Sequence, residues 1–338
     1  MAKREADWGS LAGRIAVVTG GGSGMGRELC RQLSAHGCHV SFADLSPVEM
    51  AETLALCEAG APAGTRVTCH VCDVAKEEDI LAFRDAVVAA HGGTEVVHYV
   101  FNNAGIAGGN SFLDESPEGR ARWEQTFNVD WYGVYYSSRA FIPLLKRAGE
   151  AALVNTSSVN GFWASVGPGS QHSAYAAAKF AVKGFTEALH VEFQTHAPHI
   201  HVAVVMPGHV GTSIASKAGA EVDPETGEWK LKELSPREKA AMIARISAQN
   251  PRMAKALEGR SEVETDAYLA KARQAVGDGF RNAGLSAVDA AGLIIRGTLE
   301  KRWCVSIHTY RRSTTSATLP SVSVERFSLH VPQADPDR

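Results

Sequence analysis

Cysteine is scarce in this chain, six in 338 residues, at Cys30, Cys38, Cys57, Cys69, Cys72 and Cys304. They fall mostly within apolar stretches, which fits reduced thiols, argues against a disulfide scaffold and sets a cytoplasmic expectation. No uncharged apolar run approaches the ~20 residues needed to span a bilayer. The opening MAKREADWGS lacks the apolar core and cleavage site of a secretory signal. Proline (13) and glycine (32, without period) are too few for a fibrous chain. Neither sign of charge dominates, with Lys+Arg 34 against Asp+Glu 37 and a net charge of −3. The basic excess that marks a nucleic-acid or anionic-membrane partner is therefore missing, and so is any internal repeat. What remains is the balance of a globular protein, 45% hydrophobic and 21% charged, which excludes a disordered chain.

The first two-thirds alternate short apolar runs with helical patterns. Arg14–Thr19, Cys38–Ala43, Arg66–Val71, Val96–Phe101, Ala151–Thr156 and His201–Met206 read as strands. Helical patterns run to about His36, then over about Pro47–Ala59, Lys76–His91, Ala121–Arg147 (Pro143 near its end) and Ala174–Thr195. Apolar strands alternating with helices predict an α/β fold, a doubly wound parallel sheet covered on both faces. After Thr212 the text turns polar, and residues 213–285 contain no strand-like run. Pro236 can open a helix there, and Ser261 with Glu264 makes a capping box for another. Ala287–Glu300 reads as a helix and Trp303–Ile307 as a last strand. The expectation is one domain over residues 10–308, with 213–285 a helical lid over the crevice at the carboxyl ends of the strands. The tail 309–338 has weak periodicity and is expected to be poorly ordered or docked on a partner subunit.

Thr19-Gly20-Gly21-Gly22-Ser23-Gly24-Met25-Gly26 lies between the first strand and the first helix. Glycines there permit a tight turn and let backbone N–H groups approach a pyrophosphate, to which the helix N-terminus adds partial positive charge. Asp44 ends the second strand, 20 positions after Gly24, where a carboxylate can hold both hydroxyls of an adenosine ribose. It would repel a 2′-phosphate, and Leu45 and Ser46 supply no cation to offset that. The expected cofactor is NAD rather than NADP. Arg27 reads as a solvated or phosphate-facing residue.

Tyr175-Ala-Ala-Ala-Lys179 opens the helix after the fifth strand, and i, i+4 spacing puts both side chains on one face. A nearby ammonium favours the phenolate and lowers a tyrosine pKa from about 10. Such a tyrosine can pass a proton to or from an alcohol oxygen.

With these elements in this order, the chain resembles the short-chain dehydrogenase/reductase family, whose fold is the Rossmann type. The resemblance covers about residues 10–212 closely and 286–308 loosely. It implies cofactor contacts from Gly20, Ser23, Gly24, Met25, Gly26 and Asp44. Asp73 and Val74 would lie near the adenine. Asn102, Ala104 and Gly105 come from the Asn102-Asn103-Ala104-Gly105 motif that supports the sheet and lines the cleft. Pro207, Gly208, Val210 and Thr212 come from the segment that holds the nicotinamide carboxamide. The resemblance further implies Tyr175 as general acid/base and Lys179 as its activator and ribose ligand. Asn128, in Asn-Val-Asp-Trp-Tyr-Gly, would anchor a relay water. A serine at the end of the fifth strand would hold the substrate oxygen. The family pattern points to Ser158 over Ser157. Ser158 precedes Tyr175 by 17 residues, a few more than is usual, and the extra length lies in Val159–Ala174.

The implied activity is interconversion of a secondary alcohol and a ketone by hydride transfer. The large insertion suggests a bulky or apolar substrate, with Phe162, Trp163, His209 and Ile214 as pocket candidates. The implied assembly is a homodimer or homotetramer. NAD preference leans towards alcohol oxidation. Alternatives are a catalytically idle NAD-binding sensor or interaction protein, and an epimerase or dehydratase. Cys69-His70-Val71-Cys72 has metal-like spacing but lies on a strand without a second pair, so no metal is expected. His196, His199 and His201 read as a solvated loop. Trp123, Trp131, Tyr132, Tyr135 and Tyr136 read as core or interface packing.

Overall fold

The computed structural model describes residues 6–108, 112–164, 171–249 and 259–307, with positions 255 and 257. The tail 309–338 and the Gly167-Pro168-Gly169 stretch of the longer loop lie outside the described residues.

The alternation read from the sequence becomes β1 (Ile15–Thr19), α1 (Gly24–Ala35), β2 (His39–Asp44), α2 (Pro47–Gly60), β3 (Val67–Val71) and α3 (Glu77–Ala90). Then follow β4 (Tyr99–Asn102), α4 (Pro117–Phe127), a π-helical turn (Asn128–Tyr132) and α5 (Gly133–Leu145). The long helical pattern is thus one path interrupted by a wide turn. Next come β5 (Ala151–Thr156), a short 3-10 turn (Val159–Gly161), α6 (Ser173–His196), β6 (Ile200–Pro207) and β7 (Val210–Gly211). The chain continues through β8 (Ala220–Val222), β9 (Trp229–Leu231), α7 (Pro236–Gln249), α8 (Glu262–Arg281), β10 (Leu285–Ser286), α9 (Ala287–Leu299) and β11 (Cys304–Ile307).

Seven strands pair in parallel in the order β11-β6-β5-β4-β1-β2-β3. After β3 the chain crosses to the other side of β1, so the order reverses between β1 and β4. The crevice beyond their carboxyl ends is where such sheets bind ligands. Two apolar layers flank the sheet. One gathers Leu29 and Leu33 of α1, Met50 of α2 and Ile294 and Ile295 of α9. The other gathers Phe83 of α3, Phe141 and Leu144 of α5 and Phe193 of α6. The edge strand β3 is the least buried, with Val71 65% exposed. Cys69 packs against the first layer and Cys72 belongs to the second.

Local chemistry starts the helices where the sequence places them. Ser46 accepts from the Glu49 N–H at 3.3 Å ahead of Pro47, and Ser261 and Glu264 close the expected capping box. The segment 213–285 departs from the all-helical expectation. Ala220-Glu-Val and Trp229-Lys-Leu form an antiparallel hairpin, and Leu285–Ser286 pairs with Val210–Gly211. Each hairpin arm alternates apolar, polar, apolar over only three residues, too short a run to stand out in polar text. No helix among the described residues is long and apolar enough to cross a membrane.

Candidate active site

The glycine turn and the loop after β4 face each other across the reversal point. Gly20 (φ 68°) and Gly24 (φ 54°) adopt backbone that a side chain would strain. A Cβ on Gly20 would stand 2.8 Å from the Ala104 Cα, and one on Gly24 would stand 3.1 Å from Thr212 Cγ2. A Cβ on Gly26 would run into the Gly20 carbonyl oxygen. The turn, Ala104 and Thr212 thus enclose one backbone-lined groove, the shape a pyrophosphate needs. Asn103 fixes it: its Nδ2 donates to the Thr19 and Gly20 carbonyls at 3.1 and 3.3 Å. Its backbone N–H and that of Ala104 both donate to Thr19 Oγ1 at 3.1 Å.

Asp44 sits at the end of β2, its carboxylate accepting from the Gly22 and Leu45 N–H groups at 2.8 Å each. That places a fixed acid beside the turn, as a ribose-binding acid requires. Arg27 does not face a phosphate. Its guanidinium donates to the Gly22 carbonyl at 2.9 and 2.6 Å and pairs with Glu52 at 2.8 Å. Asp73 follows β3 and caps its own turn, accepting from the Ala75 N–H at 3.1 Å. Val74 is buried against Gly133. Asn102 is also buried, its Nδ2 donating to Ser138 at 3.0 Å and Asn155 at 2.8 Å. Its Nδ2 therefore braces the sheet, while its Oδ1 is buried without a hydrogen-bond partner.

The catalytic candidates converge at the carboxyl end of β5. Ser157 and Ser158 diverge there, as neighbouring residues of extended chain do. Ser157 donates to the Lys179 carbonyl at 2.7 Å, whereas the Ser158 hydroxyl accepts from the Asn160 N–H at 3.1 Å and lies on the Tyr175 side. The lysine lies below the tyrosine, its Nζ 5.5 Å from the ring centre, and donates to the Thr156 carbonyl at 3.2 Å. Burial pushes the Tyr175 hydroxyl above its ordinary value. Lys179 and the Ser158 hydroxyl pull it back, and the Asp130 carboxylate opposes them. The lowering expected from Lys179 alone is thus outweighed.

Asp130 is the residue that sequence reasoning missed. Its Oδ1 lies 3.3 Å from Lys179 Nζ, and both side chains are buried, at 0% and 3% exposure. Oδ1 also accepts from the Ile106 N–H at 3.1 Å. A Cβ on Gly105 would stand 2.7 Å from this oxygen, so the glycine leaves room for the pair. Burial works against the Lys179 ammonium, yet Asp130 and Tyr175 hold it above the ordinary lysine value. Burial pushes the Asp130 carboxyl up, with Lys179 and the Ile106 N–H opposing. We take the pair as ionised, because removing the charge from either partner would strand the other in the interior, at a cost of ~3–5 kcal/mol. Asn128, expected in this place, begins the π-helical turn two residues earlier. Two residues are about half a helical turn, so Asn128 and Asp130 point to opposite sides and only Asp130 meets Lys179. The signal was present in the sequence as a second polar residue in the same motif.

The insertion leans on the cofactor groove. Lys217 donates to Ser23 at 2.8 Å, pairs with Glu49 at 2.5 Å and lies 4.8 Å from the Trp229 ring centre. Trp229 Nε1 donates to the same Glu49 at 3.1 Å, and Ser46 donates to the Gly227 carbonyl at 2.6 Å. These contacts fix the hairpin to the start of α2. Behind it, the Gly208 N–H donates to the Ile307 carbonyl at 2.6 Å, and Val210 is held by the pairing of β7 with β10. His209 stacks on Phe280 with ring centres 4.0 Å apart and donates through Nε2 to the Phe280 carbonyl at 2.9 Å. It clamps α8 to this segment. Ile214 is partly buried just after Thr212, to whose hydroxyl its N–H donates at 3.4 Å.

Among the aromatics, Trp131 packs edge-on against Phe185 with ring centres 5.3 Å apart. Trp123 instead donates to Ser173 at 3.0 Å, two residues before Tyr175, and meets Phe112 at 6.3 Å. Phe162 and Trp163 pack together at 5.6 Å and are exposed shortly after Ser158. The three histidines read as a loop diverge. His196 ends α6, His199 donates to the Lys146 carbonyl at 3.2 Å, and His201 on β6 donates to the Arg302 carbonyl at 3.0 Å.

The sequence model for short chain dehydrogenases matches residues 14–223. SadH of Mycobacterium tuberculosis, named as an oxidoreductase, is 41% identical over 210 residues, covering 62% of this chain and 71% of SadH. A short-chain dehydrogenase/reductase from Burkholderia phymatum, solved in complex with NAD, superposes with a TM-score of 0.64 at 27% identity. That match covers 88% of this chain and 89% of the other. A metagenomic short-chain oxidoreductase solved with NADP gives 0.51 at 29% identity, over 59% of this chain and 83% of the other.

Proposed function

The chain belongs to the short-chain dehydrogenase/reductase family of oxidoreductases, and from that premise we propose that it interconverts a secondary alcohol and a ketone with NAD. The observation that carries this reading is the group of Ser158, Tyr175 and Lys179, with the Lys179 Nζ 5.5 Å from the Tyr175 ring centre and the Ser158 hydroxyl near enough to lower the tyrosine's pKa. An alcohol oxygen held by the Ser158 hydroxyl would stand beside the Tyr175 oxygen, the group that takes or returns its proton. The Lys179 ammonium stabilises the phenolate formed when Tyr175 has given up its proton. NAD, when bound, supplies the carbon that accepts hydride; the protein contributes position and charge.

Gly20, Ser23, Gly24, Met25 and Gly26 would carry the pyrophosphate, and Asp44 the adenosine ribose. Asp73 and Val74 would lie towards the adenine. Ala104 and Gly105 would line the cleft, and Pro207, Gly208, Val210 and Thr212 would border the carboxamide. Asp44 supports NAD over NADP, because Arg27 is committed to Gly22 and Glu52 and Lys217 to Glu49 and Ser23. The segment 213–285 acts as a lid, and the exposed pair Phe162 and Trp163, shortly after Ser158, would offer apolar surface to a bulky substrate. The protein works as a homodimer or homotetramer.

The test is reduced-cofactor absorbance with NAD or NADP against secondary alcohols from small aliphatic through aryl and terpenoid to steroid. Turnover with NAD and a bulky class is expected. NAD binding without turnover of any alcohol or matching ketone would favour an idle NAD-binding protein.

A further inference from the structure

The insertion opens on a turn that brings a lysine back to the glycine-rich groove. Just after Thr212, which walls the groove at Gly24, the Lys217 N–H donates to the Ser213 carbonyl at 3.0 Å and the Ala220 N–H to the Lys217 carbonyl at 2.9 Å. Helix α8 backs this turn so closely that a Cβ on Gly277 would stand 2.6 Å from the Ser216 Cβ. From there Lys217 Nζ reaches Ser23 Oγ, 194 positions earlier, at 2.8 Å. Ser23 heads α1, and its hydroxyl makes no bond to the N–H groups of that helix. The first-turn donors therefore keep their capacity for an anion. Glu49 holds the ammonium from the other side, and the two side chains are only 18% and 21% exposed. An ammonium has three N–H donors; Ser23 and Glu49 take two.

The hairpin extends the same cover. A Cβ on Gly227 would stand 3.3 Å from Pro47 Cδ, the Gly227 carbonyl accepts from Ser46, and Trp229 donates to Glu49. Ser46, Pro47 and Glu49 follow Asp44 by two, three and five positions. The hairpin is thus seated just beyond the acid proposed for the ribose.

We propose that Lys217 is a dinucleotide-binding residue that gives its third N–H to the pyrophosphate, and that residues 213–231 form a clasp over the adenosine half of the cofactor. The inference rests on the dinucleotide reading of the groove proposed above and adds to it a ligand carried by the insertion. Glu49 and Trp229 fix the long side chain in advance, which spares the entropy of ordering it on binding. Because the cation rides on the insertion, docking and binding are coupled. The dinucleotide binds more tightly to the docked clasp, and the clasp docks more firmly, by the same factor, on the bound dinucleotide.

The experiment compares the full chain with its Lys217→Met variant. Affinities for NAD and ADP-ribose are measured by calorimetry and that for adenosine, which has no phosphate, by competition. Cleavage within residues 220–231 is timed by limited proteolysis with and without saturating ADP-ribose. Lys217→Met should weaken NAD and ADP-ribose about tenfold, the worth of one hydrogen bond to a charged group, and adenosine less than twofold. ADP-ribose should slow cleavage of the wild-type hairpin about tenfold more than that of the variant. Unchanged affinity for ADP-ribose in the variant, or equal protection in both proteins, would overturn the proposal. Equal weakening of adenosine and ADP-ribose would reduce Lys217 to a structural anchor and overturn it as well. The expected binding and protection in a protein that turns over no alcohol or ketone would sink the proposed reaction and leave the clasp standing. Turnover with NAD, joined to wild-type affinity in Lys217→Met, would do the reverse.

Discussion

Three histidines make the stability of this protein depend on mild acid. His91, His98 and His201 are each held neutral, with burial the largest cause, their pKa values lowered from 6.5 to about 4. His98 shows the mechanism most plainly, because its Nδ1 accepts the Ile15 N–H of β1 at 3.1 Å. A proton on Nδ1 would break that bond and strand the donor. In the unfolded chain each ring takes up a proton as pH falls below 6.5, while in the folded chain it does so only near 4. The unfolded state therefore binds more protons between these values, and stability falls as pH falls through this window. At pH 5 each histidine contributes a loss of about 2 kcal/mol relative to pH 7.5, so the three together cost ~6 kcal/mol. Against a typical ~5–15 kcal/mol total, that is large. Urea unfolding at pH 7.5, 6.5, 5.8 and ~5 reads it directly, above the range where most carboxylates titrate. His98→Asn offers Ile15 an acceptor that does not titrate, and should remove about a third of the pH dependence. Stability that is flat from pH 7.5 to 5, or an unchanged slope in His98→Asn, would refute the reasoning.

Three further outcomes follow from the groove. Gly26→Ala drives a methyl into the Gly20 carbonyl and to 2.7 Å from Asn103 Nδ2; it should cost ~1–3 kcal/mol in urea unfolding and weaken NAD binding by calorimetry. Asp44→Ala removes the acid beside the turn and should raise the NADP-to-NAD ratio of kcat/KM by about tenfold or more, a change of ~1.4 kcal/mol. Lys217→Met cuts the hairpin from Glu49 and Ser23, an ion pair with side chains about a fifth exposed. Global stability should change by no more than ~1 kcal/mol, while limited proteolysis should cut residues 220–231 several times faster.

Much of the fold was legible because its signals are long or punctuated. The strand-turn-helix at Thr19–Gly26, the acid at Asp44 and the i, i+4 pair Tyr175 and Lys179 each depend on local spacing, and the structure assembles them as spaced. The last strand, at Cys304–Ile307, was also readable as an apolar run. What was not legible depends on rotation and on contacts distant in sequence. Asn128 and Asp130 share one motif, and only the helix's orientation decides which of them meets Lys179. The bonds from Asn102 Nδ2 to Ser138 and Asn155, 36 and 53 positions away, had no local signal. The stacking of His209 on Phe280, 71 positions away, had no local signal either. The hairpin at Ala220–Leu231 was missed because three-residue strands carry little periodicity. Lys217 was missed because its partners, Ser23 and Glu49, lie 194 and 168 positions away.

The central claim is that Tyr175 moves the substrate proton in an NAD-dependent reaction. Its most direct test is Tyr175→Phe, measured for NAD binding by calorimetry and for turnover with whichever secondary alcohol the wild type oxidises fastest. The variant keeps the ring over Lys179 and removes only the hydroxyl. NAD affinity is expected to hold within about twofold, and kcat to fall by about 10³-fold, within the range general acid–base catalysis supplies. Turnover within a few-fold of wild type would contradict the assignment.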